Sequence, residues 1–112
     1  MTPQEKVDII VQVADDMKAE DIQVLDVNSK TSIADFFVVC GANNERLLSA
    51  IADKVEEKMR SLKERPLRTE GGGGWILQDY GDVVLHVMHD EQRQFYDLET
   101  LWKTMNPSPD VR

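Results

Sequence analysis

The stretch "HVMHDE" (86–91) holds both histidines of the chain, three residues apart, followed at once by two carboxylates. Such residues can ligate a metal ion or form an acid–base pair, provided the backbone brings them together. On a helix, positions three apart share a face and could hold one ion. The surrounding "DVVLHVMH" (82–89) is β-branched and alternating, which predicts a strand, where positions three apart point to opposite faces. His86 and His89 therefore diverge, and no shared metal is expected. His86 falls on one strand face with Val84 and Met88, either as a half-buried structural histidine or as part of a contact surface. His89 falls at the strand end. Asp90 is then a natural N-cap for a following helix, with Glu91 in the first turn, where negative charge is favoured.

Three other stretches invite chemistry. "GGGG" (71–74) has the flexibility of a phosphate cradle, but it lacks a following Lys-Ser/Thr and leads into the strand-like "WILQD". A flexible connector over "EGGGG" (70–74) is the expectation. "CGANNER" (40–46) lies between a predicted strand and helix, where backbone amides could receive an anion, and Asn43 as an N-cap accounts for it. "DYGD" offers the acids Asp79 and Asp82. Metal-dependent nucleotidyl transfer wants two acids on one strand face, usually two residues apart, whereas these flank a turn.

The elements that must position these residues follow from periodicity. Residues 3–19 read as a helix capped by Thr2, with Pro3 at its first position, Glu5 completing a capping box, and a stripe of Val7, Ile10, Val11, Ala14 and Met17. "DIQVLDV" (21–27) sets Ile22, Val24 and Asp26 against Gln23, Leu25 and Val27 as a strand, and "NSKTS" is a turn. "DFFVVC" (35–40) has the apolar continuity of a strand covered on both faces. The spacing of Leu48, Ile51, Val55, Met59 and Leu62 predicts a helix over 43–65, stopped by Pro66. "LRT" (67–69) suits a short strand, and 75–89 a hairpin whose tight turn uses Gly81. A further helix is expected over 90–102, then a frayed tail. The fold class is α/β (α+β): one domain over residues 1–104, with a mixed five-stranded sheet packed by amphipathic helices, and a flexible tail over 105–112. The helix at 43–65 acts as a crossover and implies at least one parallel strand pair.

Charge narrows the function. The 112 residues carry 13 Lys and Arg against 21 Asp and Glu, a formal net charge of −8. That balance argues against a phosphate-neutralising nucleic-acid binder and favours a basic protein partner. Cys40, the single cysteine, sits in an apolar run as a small buried hydrophobe. Neither a signal peptide nor a membrane helix is expected, so the protein reads as soluble and cytoplasmic. Between Asp79 and Glu99 there are six acids and one base, Arg93, with Trp75, Tyr80, Phe95, Tyr96 and Trp102 in or beside the stretch. Aromatic anchors ringed by steering charges suit a protein interface, and core rings beneath a solvated acidic face fit the composition equally well.

"DYGDVVLHVMHDEQRQFYDLETLW" (79–102) resembles the signature of the ribosome silencing factor S, or Iojap-like, family. "MKAEDIQVLDV" (17–27), "TSIADFFVVCGANNERLLSAIAD" (31–53) and "EGGGGWILQDYGD" (70–82) match the family pattern in the same order, so the resemblance covers about residues 5–102. "CGANNER" replaces a more usual Ser/Thr-Gly-Asn-Ser version, and the four glycines replace a more polar loop. The resemblance implies a nucleotidyltransferase-like fold without the catalytic acids, no enzyme activity, no cofactor and no metal. It also implies binding to the large ribosomal subunit through ribosomal protein L-fourteen, blocking subunit joining, with no direct DNA contact, no membrane, and a homodimer when free. The expected contact set is Trp75, Asp79, Tyr80, Asp82, His86, Tyr96 and Trp102. Asp79, Tyr80 and Asp82 are expected to be exposed at the hairpin turn, and His86 to contribute if no helix covers its face. A large-subunit assembly factor using the same contacts, and a metal-dependent nucleotidyltransferase-like enzyme, are the alternative readings.

Overall fold

A helix that opens on Thr-Pro-x-x-Glu can satisfy its own free amides, and the first element does so. In the computed structural model, which describes residues 1–28 and 34–91, α1 spans Pro3–Asp16. The Thr2 hydroxyl accepts the Glu5 N–H (3.1 Å) and the Glu5 carboxylate accepts the Thr2 N–H (2.8 Å). The helix ends three residues before the predicted stop, because Lys18 turns into the left-handed region (φ 64°). The strand β1 follows at Glu20–Asp26, then β2 at Phe36–Ala42. The second helix, α2, covers Glu45–Ser61, and its cap is Asn44, whose side-chain oxygen accepts the Leu47 N–H (2.8 Å). Asn43 was the expected cap. The displacement follows from β2, which runs on through Ala42 and moves the helix start inward. At the other end left-handed Lys63 (φ 63°) stops the helix before Pro66 can.

The remaining strands are β3 (Arg68–Gly72), β4 (Trp75–Asp79) and β5 (Val83–His89), and the sheet order is β1-β2-β5-β4-β3. Only the central β2–β5 pair is parallel, as a crossover through α2 requires. The α+β class with a five-stranded mixed sheet is therefore observed. One local expectation is corrected. "EGGGG" is no flexible connector: Glu70 to Gly72 pair with Leu77 to Trp75, and Gly73 and Gly74 make the two-residue turn. Both turn residues have positive φ (62° and 84°), which such hairpin turns demand and glycine supplies without strain.

Both helices pack on one sheet face. Val7, Ile10 and Ala14 of α1 and Leu48, Ile51, Ala52, Val55 and Met59 of α2 meet Val38, Cys40, Val83, Leu85 and Val87. Cys40 is buried there, as its neighbours predict. The far face carries Val27, Ala34 and Val84, with Leu25, Phe37 and Leu77 partly buried around them. Among the described residues no helix is long and apolar enough to cross a membrane. The NSKTS turn lies mostly outside the described residues, as do residues 92–112, which include most of the predicted helix at 90–102, Tyr96, Trp102 and the tail.

A long-range tie that no local pattern announces fixes α1 to the β4–β5 turn. The Lys6 ammonium donates to the Tyr80 carbonyl (3.0 Å) and to Asp82 Oδ1 (2.8 Å), and lies 3.4 Å from Glu64. Burial alone would lower the Lys6 pKa, but the Asp82 and Glu64 carboxylates outweigh it and the net effect is upward. The lysine thus stays charged at neutral pH. Its stabilisation is complete below the ordinary lysine value and is lost only as pH rises past the raised one. Lys6→Met, which keeps the apolar stem, is expected to cost about 2 kcal/mol, since hydrogen bonds to charged groups carry roughly 1.5–3 kcal/mol. Urea denaturation at pH 7 measures this, and an unchanged midpoint would refute the tie.

Candidate functional site

The two histidines sit on opposite faces of β5, as alternation requires. His86 faces away from both helices and is buried (6% exposed). Its Nδ1 accepts the indole N–H of Trp75 at 3.2 Å, and its ring stands edge-on to Phe37 with centroids 4.9 Å apart. Since Nδ1 accepts, the neutral ring carries its proton on Nε2, and that buried nitrogen has no hydrogen-bond partner. Burial pushes the His86 pKa down to about 4, so the ring is neutral at physiological pH. His89 lies at the opposite face, near Gly74, and its Nδ1 accepts the N–H of Glu91 (3.1 Å).

That last contact corrects the expected cap. Helical backbone begins at Asp90, so the residue in the N-cap position is His89, and its imidazole does what the Asp90 carboxylate was expected to do. Asp90 instead meets Glu20. The two carboxyl groups share a hydrogen bond, and that bond together with the Asp90 charge holds the Glu20 pKa above its usual value. Among the described residues no group of three His, Cys, Asp or Glu side chains is placed to hold a metal ion.

The "DYGD" turn also departs from expectation. Tyr80 was expected to be exposed, yet it is buried (3% exposed) against the helix-side core. Burial, reinforced by the nearby Glu56 charge, raises the pKa of its hydroxyl. The protonated O–H donates to Gln78 Oε1 (2.7 Å), and the buried Gln78 amide donates to the Ala52 carbonyl in α2 (2.8 Å). A large ring beside a turn glycine can swing inward when a pocket lies beneath it, and turn composition alone does not reveal that pocket. Asp79 and Asp82 are half-buried and already engaged. Asp79 Oδ1 accepts the Gly81 N–H (2.8 Å), which closes the turn, and Asp82 pairs with Lys6.

Cross-strand register assembles the far face in rows. Asp79, Val84, Phe37 and Leu25 align in one row, Leu77, His86 and Val39 in the next, and Trp75 and Met88 in a third. Val39, Val84, His86 and Met88 are buried, whereas Trp75, Leu77, Asp79, Phe37 and Leu25 are half-buried, with Trp75 and Leu77 side by side on β4. Beside them β3 contributes Glu70, Gly71 and Gly72 to a shallow groove of about 360 Å³. Gly72, the partner of Trp75 across the strands, leaves a bare backbone shelf next to the indole. Of the seven expected contact residues, Trp75 and His86 touch, and Asp79 shares their face. Tyr80 and Asp82 are turned to structural tasks, and Tyr96 and Trp102 lie outside the described residues. Leu77 and the glycine shelf lie beside Trp75 without being among the expected contacts, although Trp75, Leu77 and Asp79 fall at the i, i+2, i+4 spacing of one strand face.

Two helices on one face of a five-stranded mixed sheet, with a half-buried tryptophan held by a neutral histidine on the other, define the class: a small α+β domain with an acidic chain. The comparisons make the class particular. The chain belongs to the ribosomal silencing factor family, whose model, described as "Ribosomal silencing factor during starvation", matches residues 1–112. It is 38% identical over 104 residues to a ribosomal silencing factor of Halalkalibacterium halodurans, covering 91% of this chain and 89% of that one. A crystal structure of a Chromobacterium violaceum protein superposes with a TM-score of 0.87 at 35% identity, covering 91% of this chain and 87% of that one. A mouse relative named "Mitochondrial assembly of ribosomal large subunit protein 1" is 31% identical, over 86% of this chain and 44% of its own length.

Proposed function

We propose that this protein is a cytoplasmic translational repressor that docks on the large ribosomal subunit, on ribosomal protein L-fourteen, and keeps the small subunit from joining. The observation that carries this reading is the Trp75–Leu77 row beside the glycine shelf, in a chain shown to belong to the silencing family. A tryptophan held by its indole N–H keeps one orientation, and a preset aromatic anchor loses less entropy on binding. Asp79 shares the face of the anchor and suits a basic protein surface, whereas Asp82 at the adjoining turn is paired with Lys6. A chain of net charge −8 is repelled by RNA phosphate. Tyr96 and Trp102 complete the proposed contact set, and His86 serves it through Trp75. No bond is made or broken. Repression is steric, and an interface of ordinary size, about 1,600 Å², suffices for tight occupancy.

Cosedimentation with purified large subunits tests the docking. Wild type is expected to pellet with them, and Trp75→Ala to weaken the association by about 30-fold or more, the range for loss of a central aromatic anchor. Circular dichroism and a retained thermal midpoint establish that the variant is folded. Equal pelleting of a folded Trp75→Ala protein would overturn the placement of the site, and no pelleting of wild type would overturn the function. The name of the mouse relative supports a second reading, an assembly factor using the same contacts. Preferential association with large-subunit precursors over mature subunits would favour it.

A further inference from the structure

The sheet has a second open feature, on its helix side and at its other edge. β1 is the terminal strand opposite β3, so its outer edge pairs with no strand among the described residues. Between that edge and α1 runs a groove of about 690 Å³. Its floor is apolar: Val7 and Val11 from α1, Ile22 and Val24 from β1. Val24 is 44% exposed, one of few large hydrophobic side chains so open. Asp8 and Asp15 stand on the α1 side, and no lysine or arginine is among the described lining residues.

The shape of the groove indicates its occupant. It lies where a sixth strand would run, beside the regular part of β1, Gln23 to Asp26, which is in continuous register with β2. An extended segment laid there takes up the backbone groups of the edge and sends alternate side chains down onto Val7, Val11, Ile22 and Val24. Charge selects among extended segments. A second copy of this chain offering its own β1 would bring Asp21 and Asp26 to an edge that already carries them, and like charges across a strand pair are destabilising. Only alternate side chains face the groove, so a segment that carries both apolar residues and lysine or arginine at those groove-facing positions meets both the floor and the acids. We infer that the α1–β1 groove is a second docking site, which takes an extended basic segment of a partner protein by strand addition to β1.

A ten-residue synthetic peptide in which valine and lysine take turns at every second position, with threonine between them, is the probe, read by amide shifts and hydrogen exchange on isotope-labelled full-length protein. The expected result is saturable binding, with slowed exchange at the β1 edge from Gln23 to Asp26. Asp8→Lys with Asp15→Lys is expected to weaken binding by about tenfold or more, because attraction becomes like-charge repulsion. Val24→Asp is expected to weaken it similarly, and Trp75→Ala to leave it unchanged. All four substituted positions are exposed or half-exposed, and a thermal midpoint near wild type confirms folding of each variant. The inference is overturned if the double variant and Val24→Asp both bind as wild type does. Equal binding of the same peptide with glutamate in place of each lysine would also overturn it. So would β1 protection that grows with protein concentration when no peptide is present, which would make the occupant a second copy.

Discussion

Tyr80→Ala is expected to destabilise the protein by about 3–5 kcal/mol, the range for truncating a buried aromatic ring. The ring fills a place in the helix-side core next to the β4–β5 turn, and its hydroxyl heads a short chain of hydrogen bonds through Gln78 to the Ala52 carbonyl. Truncation empties the first and orphans the second. Tyr80→Phe separates the two effects. It keeps the ring and leaves the buried Gln78 oxygen without its donor, which is expected to cost about 1–3 kcal/mol. Adding Gln78→Met to Tyr80→Phe removes the orphaned amide oxygen, and part of that loss is expected to return, because the Ala52 carbonyl that gives up the Gln78 donor lies within the helix α2. Urea denaturation of the three variants measures the series. If Tyr80→Ala unfolds at the wild-type midpoint, the ring is not in the core. Tyr80 is therefore a poor residue for testing ribosome binding, since its loss would weaken the fold before it reported on any contact.

The second large effect lies in acid. Burial holds the His86 pKa at about 4 in the folded chain, against 6.5 for the free side chain. Above 6.5 the ring is neutral in both states and contributes no pH dependence. As pH falls below 6.5 the unfolded chain gains a proton that the folded chain refuses, so folding weakens until the native ring also protonates near pH 4. The loss attributable to this residue is roughly 2 kcal/mol at pH 5 and about 3 kcal/mol at pH 4, because each tenfold difference in proton affinity is worth about 1.36 kcal/mol. His86→Leu removes the titration and the partnerless Nε2–H together. The difference in unfolding free energy between wild type and His86→Leu, followed from pH 7 to pH 4, is expected to move in favour of the variant by about 3 kcal/mol. A constant difference would show that His86 titrates normally. The same variant removes a hydrogen bond that orients the indole, so its large-subunit affinity is expected to fall with stability at pH 7 nearly unchanged.

What the sequence revealed depended on how local the cause was. Both helices were legible because their buried residues recur at helical spacing, and the parallel pair because a helix stands between its strands. Strand parity was enough to separate His86 from His89. Errors arose where one residue decided the outcome. β2 and β5 each run to a residue that moves the following cap, to Asn44 from Asn43 and to His89 from Asp90. Arg68 to Gly72 carries no apolar alternation, being exposed throughout, and forms a strand only because β4 offers an edge and two glycines can turn the chain. The inward swing of Tyr80 and the reach of Lys6 to Asp82 depend on packing between segments some 75 positions apart, and no window along the chain contains both partners. In the site, Trp75 was legible as an aromatic in an acidic setting. Its orientation by His86 was not, because it depends on the register of β4 against β5.

Subunit joining tests the central claim most directly. Purified large subunits, loaded with a stoichiometric amount of this protein, are mixed with small subunits and resolved on a sucrose gradient. The account requires that joined particles fall sharply with wild type, that the protein remain with the free large subunit, and that folded Trp75→Ala restore joining. Full joining while wild-type protein stays bound to the large subunit would contradict steric repression.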